Sequence, residues 1–159
     1  MTTTERGPTS GSLLWRVTNR WRAAVDRAVA PLGLTHAQYS LLASLYGMQQ
    51  GSSVRPSQRQ LADFTGLEPL YVSKLCRALE SSGLLERADD PTDSRAVRLA
   101  LTASGRAVTG RAIARVRELH EQLLAPLGGL DGRRTKAFAN ELTALLGVDI
   151  TDPSSKEES

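Results

Sequence analysis

One stretch, residues 57–101, restricts the fold more than any other part of the chain: SQRQLADFTGLEPLYVSKLCRALESSGLLERADDPTDSRAVRLAL. Ser57 can cap a short helix over residues 58–64, with Gln60 at the matching position of a capping box and Leu61, Ala62 and Phe64 as its inward contacts. Thr65-Gly66 then reads as a tight turn, because glycine takes a positive φ without a Cβ penalty. Glu68 sits at the cap of a second helix and Pro69 at its first position, where a missing N–H costs nothing. Val72, Leu75, Cys76 and Leu79 recur at three- and four-residue steps and form one apolar stripe, from which Tyr71, Ser73, Lys74 and Arg77 fall away. Gly83 ends that helix. Two short strands follow, residues 84–87 and 96–101; in the second, Val97, Leu99 and Leu101 alternate with Arg98, Ala100 and Thr102. Their connection, residues 88–95, is rich in Asp, Pro and Arg and longer than a minimal hairpin turn.

A helix-turn-helix followed by a hairpin is a winged helix. Its second helix has the size to enter the major groove of B-DNA, and one polar, basic, hydrogen-bonding face with which to do so. Ser73, Lys74 and Arg77 are the candidates for that groove, with Pro69 and Leu70 at the helix tip. Lys74 or Arg77 can donate to guanine O6/N7, and an apolar tip residue can touch a thymine methyl. Arg95 ends an extended tip, Asp93-Ser94-Arg95, that suits the adjacent minor groove; Asp93 lies on the same side of an extended chain and can orient the arginine. Ser57, Gln58 and Arg59, at a helix N-terminus, fit phosphate anchoring. The bland alternatives are a solvated helix face and a surface ion pair worth little.

The flanking segments are helical. Ser12 can cap a helix from Leu13, whose Leu14, Val17, Trp21, Ala24, Val25 and Ala28 share a face, until Pro31 and Gly33 stop it. Thr35 and Gln38 form a capping box for a helix bearing Leu41, Leu42 and Leu45 that ends near Gly47, and residues 48–56 read as a loop. Thr102 or Ser104 caps a long helix to about Ala125. Along it Val108, Ala112, Val116, Leu119 and Leu123 make a narrow seam among Arg106, Arg111, Arg115 and Arg117. Pro126, Gly128 and Gly129 break it, and Asp131 is placed to cap a last helix with a Phe138, Leu142, Leu145, Leu146 stripe. A narrow stripe on a long helix suits an intersubunit bundle. The expectation is therefore a mainly α, α+β winged helix: six helices and a β-hairpin wing in a single domain over 1–159. Within it, 35–101 form the DNA-binding lobe, 13–34 and 102–147 the dimerisation lobe, and 1–11 and 150–159 disordered tails.

Composition narrows the classes. Lys+Arg number 20 against Asp+Glu 17, a net charge of +3 too mild to prove a nucleic-acid partner, so the placement of Arg55, Arg59, Lys74, Arg77, Arg87, Arg95 and Arg98 in or beside the organising stretch matters more. A single cysteine excludes an intramolecular disulfide and suits a reducing compartment. No apolar run approaches the roughly 20 residues of a membrane span, and the start MTTTERGPTSGS lacks the apolar core of a signal peptide, so a cytoplasmic location is expected. No metal cluster, phosphate-cradling glycine loop or nucleophile–base pair is visible; the reading is neither an enzyme nor a cofactor binder. His36 and His120 lack zinc spacing, and Cys76 lies on an apolar stripe, where a thiol is usually inert packing rather than a redox sensor.

The chain resembles the MarR family of bacterial regulators from Leu13 to Leu146. The residues that carry the likeness are Leu34-Thr35-His36-Ala37-Gln38-Tyr39, Gln60-Leu61-Ala62, and above all Leu84-Leu85-Glu86-Arg87 leading to Asp90-Pro91-Thr92-Asp93-Ser94-Arg95 and Leu99-Ala100-Leu101-Thr102-Ala103-Ser104-Gly105. The resemblance implies a homodimer on a pseudo-palindromic operator, repression of transcription, and relief by a small-molecule or redox signal. It places a phenolic or lipophilic effector between the two lobes, where Trp15, His36, Tyr39 and Tyr46 could line a pocket unless they are simply core. The sequence departs from the family pattern at Glu68-Pro69-Leu70-Tyr71, where small polar or basic residues are commoner. The alternative function is a non-specific architectural DNA- or RNA-binding winged helix, distinguished by a specificity ratio near one.

Overall fold

The structure, a computed structural model, describes residues 7–51 and 54–148. In order come α1 (Ser10–Val29), a 3₁₀ turn (Ala30–Leu32), α2 (His36–Gln50), α3 (Gln58–Thr65), α4 (Pro69–Ser81), β1 (Leu85–Asp89), β2 (Val97–Leu101), α5 (Ala103–Leu124), a second 3₁₀ turn (Ala125–Leu127) and α6 (Arg133–Leu146). β1 and β2 pair antiparallel, Leu85 opposite Leu101 and Asp89 opposite Val97. This is the mainly α winged helix that the sequence predicts. The expected tails at residues 1–6 and 150–159 lie outside the described residues. The chain divides into two compact units between Leu119 and His120.

Local chemistry sets most helix starts. The Thr35 hydroxyl accepts from the Gln38 N–H (3.2 Å) while Gln38 Oε1 accepts from the Thr35 N–H (3.0 Å). Ser57 and Gln60 repeat the arrangement at α3, at 3.0 and 2.8 Å. Such a cap contributes about 1 kcal/mol. Thr102, rather than Ser104, caps α5: its hydroxyl accepts from the Gly105 N–H (2.9 Å) and donates to the Gly83 carbonyl (2.6 Å). Gly105 is obligatory there, since a Cβ would lie 1.9 Å from the Leu84 carbonyl oxygen.

Several expectations are corrected. α1 starts at Ser10, because the Thr9 hydroxyl accepts from the Ser12 N–H; Ser12 is inside the helix, and Ser10 and Gly11 are not tail. α2 runs through Gly47 to Gln50, so residues 48–50 are not loop. One internal glycine costs about 1 kcal/mol, and Met48 packs on the core beyond it. Phe64 is 68% exposed instead of inward, because Leu61 and Ala62 take the buried side of this short helix. The strands begin one residue late, and β2 does not alternate: Ala100 is buried along with Leu99 and Leu101. Asp131 does not cap α6. Gly132 holds that position without a side-chain bond, and a Cβ on it would come 2.6 Å from the Leu127 carbonyl oxygen.

The first unit has one apolar core. Val25 and Val29 of α1, Leu41, Leu42 and Leu45 of α2, Leu61, the α4 stripe, and Leu85, Leu99 and Leu101 of the hairpin all enter it. Ala112 and Val116 of α5 are buried in the same core, with Val108 and Leu119 packed against it. The seam that reads as an intersubunit stripe is thus largely consumed within the protomer. In the second unit, Glu121 accepts from the Leu130 N–H (3.0 Å) and the Thr135 hydroxyl donates to the Gly129 carbonyl (2.6 Å), closing the corner before α6. Each unit also carries an uncovered apolar face: Leu13, Leu14, Trp15 and Val17 on α1, and Phe138, Leu145 and Leu146 on α6. Among the described residues no helix is long and apolar enough to cross a membrane.

Candidate nucleic-acid interface

α4 is held from behind. Val72, Leu75, Cys76 and Leu79 are buried, and Glu68 caps the helix by accepting from the Tyr71 N–H (2.9 Å) with Pro69 at the first position. Its other face is open: Leu70, Lys74 and Arg77 are exposed, and the Arg77 guanidinium donates to the Ser73 hydroxyl (3.2 Å). Gly66, at φ +67°, makes the turn that aims α4 away from α3. The three polar candidates and the two tip residues therefore share the solvent side of one rigid helix.

The wing is built from polar contacts. Asp90, buried at its base, accepts at Oδ1 from the Thr92 N–H and hydroxyl (both 2.7 Å) and the Asp93 N–H (3.2 Å); its Oδ2 takes the Arg98 Nε–H. Those Thr92 bonds, then the Arg98 bond, hold the Asp90 carboxyl far below the usual carboxylate range. Asp93 does not orient the Arg95 guanidinium as expected: Oδ1 accepts instead from the Arg95 backbone N–H (3.0 Å), an Asx-type turn that sets the backbone. No acidic side chain pairs with the exposed Arg95 guanidinium among the described residues. The segment before α3 joins the hairpin edge. The Leu99 N–H donates to the Pro56 carbonyl (2.9 Å), and Ser57 bridges antiparallel to Arg98.

These elements enclose a cleft of about 610 Å³ lined by Ser57, Gln58, Arg59, Gln60, Pro69, Asp93, Arg95, Ala96, Val97 and Arg98. The start of α3, the tip of α4 and the wing thus converge, bringing together six of the predicted residues. Leu70, Ser73, Lys74 and Arg77 lie on α4 outside this lining, and Ser94 is exposed on the wing without joining it. Sequence reasoning missed Asp90, Arg98 and Gln60 as site residues. Acid and base eight residues apart across a hairpin were the available signal.

The proposed effector residues are not gathered around Trp15. That side chain is 70% exposed and lines a shallow groove with Leu13, Arg16, Val17, Asn19 and Arg20, without His36, Tyr39 or Tyr46. Tyr39 and Tyr46 pack against the core, and burial pushes the Tyr39 hydroxyl pKa up. His36 has its pKa lowered by burial, partly opposed by nearby Asp26, while its backbone N–H donates to Asp26 (2.6 Å). Burial also pushes the Cys76 thiol up to about 11, which disfavours the reactive thiolate. Among the described residues no cluster of three His, Cys, Asp or Glu could hold a metal ion.

Fold and cleft together define a winged-helix nucleic-acid-binding protein, and comparison with known proteins narrows the class. A sequence profile of the MarR family matches residues 32–96. The chain is 33% identical over 132 residues to the HTH-type transcriptional repressor Rv2887 of Mycobacterium tuberculosis, covering 83% of this chain and 91% of that protein. It is 41% identical over 96 residues to the HTH-type transcriptional regulator YdcH of Bacillus subtilis, a match spanning 60% of this chain and 64% of that relative. Among solved structures, CouR from Rhodococcus jostii RHA1 bound to p-coumaroyl-CoA is 30% identical with a TM-score of 0.73, covering 89% of this chain and 94% of that one. The transcriptional repressor CouR bound to a 23-mer DNA duplex has a TM-score of 0.76 at the same identity, covering 92% and 98%. The chain belongs to the MarR family of transcriptional regulators.

Proposed function

We propose that this regulator is a cytoplasmic repressor that acts by binding rather than catalysis, gripping a pseudo-palindromic operator as a homodimer. In this reading α4 enters the major groove through Pro69, Leu70, Ser73, Lys74 and Arg77. The wing enters the minor groove through Arg95, positioned by Asp93 and flanked by Ser94, and Ser57, Gln58 and Arg59 hold phosphates. The observation that carries it is the cleft into which α3, α4 and the wing converge, with the Arg95 guanidinium paired to no acidic side chain among the described residues. Residues 35–101 are the reading lobe, and 13–34 with 102–147 the dimerisation lobe. The uncovered apolar faces of α1 and α6 supply the need for a second copy. The complex of CouR with p-coumaroyl-CoA supports a phenolic or lipophilic effector that releases DNA.

The test is selection of bound duplexes from a genomic pool, followed by titration against competitor DNA and sedimentation of the complex. A two-fold symmetric site, bound by two protomers at least about 1,000-fold more tightly than random duplex, is expected. A specificity ratio near one would select the architectural alternative instead.

A further inference from the structure

Arg98 occupies an unusual position for a cation on a DNA-facing surface, because two of its three guanidinium nitrogens are engaged within the protein. Its Nε–H is on Asp90, and one terminal nitrogen reaches the Arg55 carbonyl (3.2 Å) and Gln60 Oε1 (3.5 Å). Gln60 is the capping-box residue of α3. One guanidinium therefore ties together the wing turn organised by Asp90, the segment entering α3, and the first turn of α3. Asp90 is the harder group to explain. It is a carboxylate on a surface read as meeting phosphates, where its charge alone would weaken association.

We propose that Asp90 and Arg98 are positioning residues for DNA binding: neither needs to touch the duplex, and together they fix the height and angle at which the wing presents Arg95 beside α3 and α4. The inference rests on the DNA-binding reading above. It makes a prediction of opposite sign to simple electrostatics. Neutralising an acid near a polyanion tightens binding if the acid is only a charge. Neutralising Asp90 weakens binding if the acid holds the wing in place.

The experiment is a fluorescence anisotropy titration of a duplex obtained by the selection above, at several salt concentrations. It uses the full chain and its Asp90→Asn, Arg98→Gln, Arg98→Lys and Arg95→Ala variants, together with Asp90→Asn/Arg95→Ala. Asparagine keeps an acceptor for the Thr92 and Asp93 N–H groups and loses the ion pair. Asp90→Asn and Arg98→Gln should each weaken binding about tenfold, and the salt slope should fall by about one, as for Arg95→Ala. In the Arg95→Ala background, Asp90→Asn should change affinity less than about twofold, the mark of two residues acting through one contact. Arg98→Lys should not rescue, since an ammonium cannot span the carboxylate, the carbonyl and the amide at once. Equal or tighter binding by Asp90→Asn, additive losses with Arg95→Ala, or full activity of Arg98→Lys would each overturn the proposal. If Asp90→Asn unfolds, Arg98→Lys decides by the same titration. Failure of the parent chain to bind any duplex strikes instead at the DNA-binding reading.

Discussion

The tip of α4 and the wing meet at one cleft but are held by different forces. α4 rests on four buried apolar side chains, Val72, Leu75, Cys76 and Leu79. The turn of the wing, beyond the buried Leu85, Leu99 and Leu101 of its strands, rests on an ion pair and directional hydrogen bonds centred on Asp90 and Arg98. Apolar burial is non-directional and indifferent to proton or salt concentration near neutrality. A polar network is geometrically exacting and answers to both. One part of the reading surface is thus a fixed ruler, and the other is set by charge. That division makes the helix the natural source of register and the wing the natural place for affinity to be tuned.

The largest effect should come from the part both share. Leu79→Ala removes a fully buried side chain from a core that also contains Leu85 and Leu99 of the hairpin. It should cost about 2–5 kcal/mol in denaturant unfolding, loosening helix and wing alike. A stability close to the parent's would mean that α4 is not anchored as described. Next come the exposed cations, each worth roughly 1–3 kcal/mol of operator binding on replacement by alanine. In the proposed reading of bases by α4, Lys74→Ala should relax discrimination between duplexes, while Arg95→Ala should chiefly lower affinity and its salt dependence. Equal losses for Lys74→Ala on operator and random DNA would demote Lys74 to a phosphate contact and erase the functional half of the contrast.

The same division explains what the sequence disclosed. The helix-turn-helix was legible because its determinants lie within a few residues of one another: Ser57 with Gln60, Glu68 with Tyr71, Pro69 at a first position, Gly66 at a left-handed turn. The placement of Arg95 was legible from its family motif. Arg98 was hidden because strand alternation marks it as solvent-facing, whereas its Arg55 partner is 43 residues away along the chain and becomes a neighbour only after folding. Asp93 was misread for a related reason: proximity to Arg95 is visible, but whether a carboxylate takes a backbone or a side-chain donor depends on the turn. For α5, periodicity revealed that one face is buried and could not say by what; Ala112 and Val116 meet the protomer's own core. Asp131 failed as a cap because the backbone at Gly132 comes too close to Leu127 for any side chain.

Acid should separate the two regions at smaller amplitude. The Asp90 carboxyl is depressed below its ordinary 3.8 in the folded wing, so its contribution is complete above that value and is lost as pH falls through and below it. Amide exchange at Thr92 and Asp93 should be unchanged from about pH 8 to 5 and accelerate below about pH 4 relative to the intrinsic rate, with the α4 amides lagging behind. Asp90→Asn should abolish that acid step. Simultaneous loss of protection in α4 and the wing would show that the helix depends on the charge network after all.

The smallest effect expected is at Cys76, and it tests the fixed half of the comparison. Its sulfur is fully buried in the α4 stripe, and burial raises the thiol to about 11 despite the opposing pull of Arg87. At pH 7 a group with that pKa is thiolate in about one molecule in 10,000, and peroxide attacks the thiolate. Stoichiometric peroxide should therefore leave operator affinity within about twofold of the untreated protein, in the parent and in Cys76→Ala alike. Release of DNA by peroxide, abolished in Cys76→Ala, would mean that α4 opens often enough to expose its anchoring face. The recognition helix would then be as switchable as the wing, and the distinction between an apolar ruler and a charge-set arm would no longer describe how this surface reads DNA.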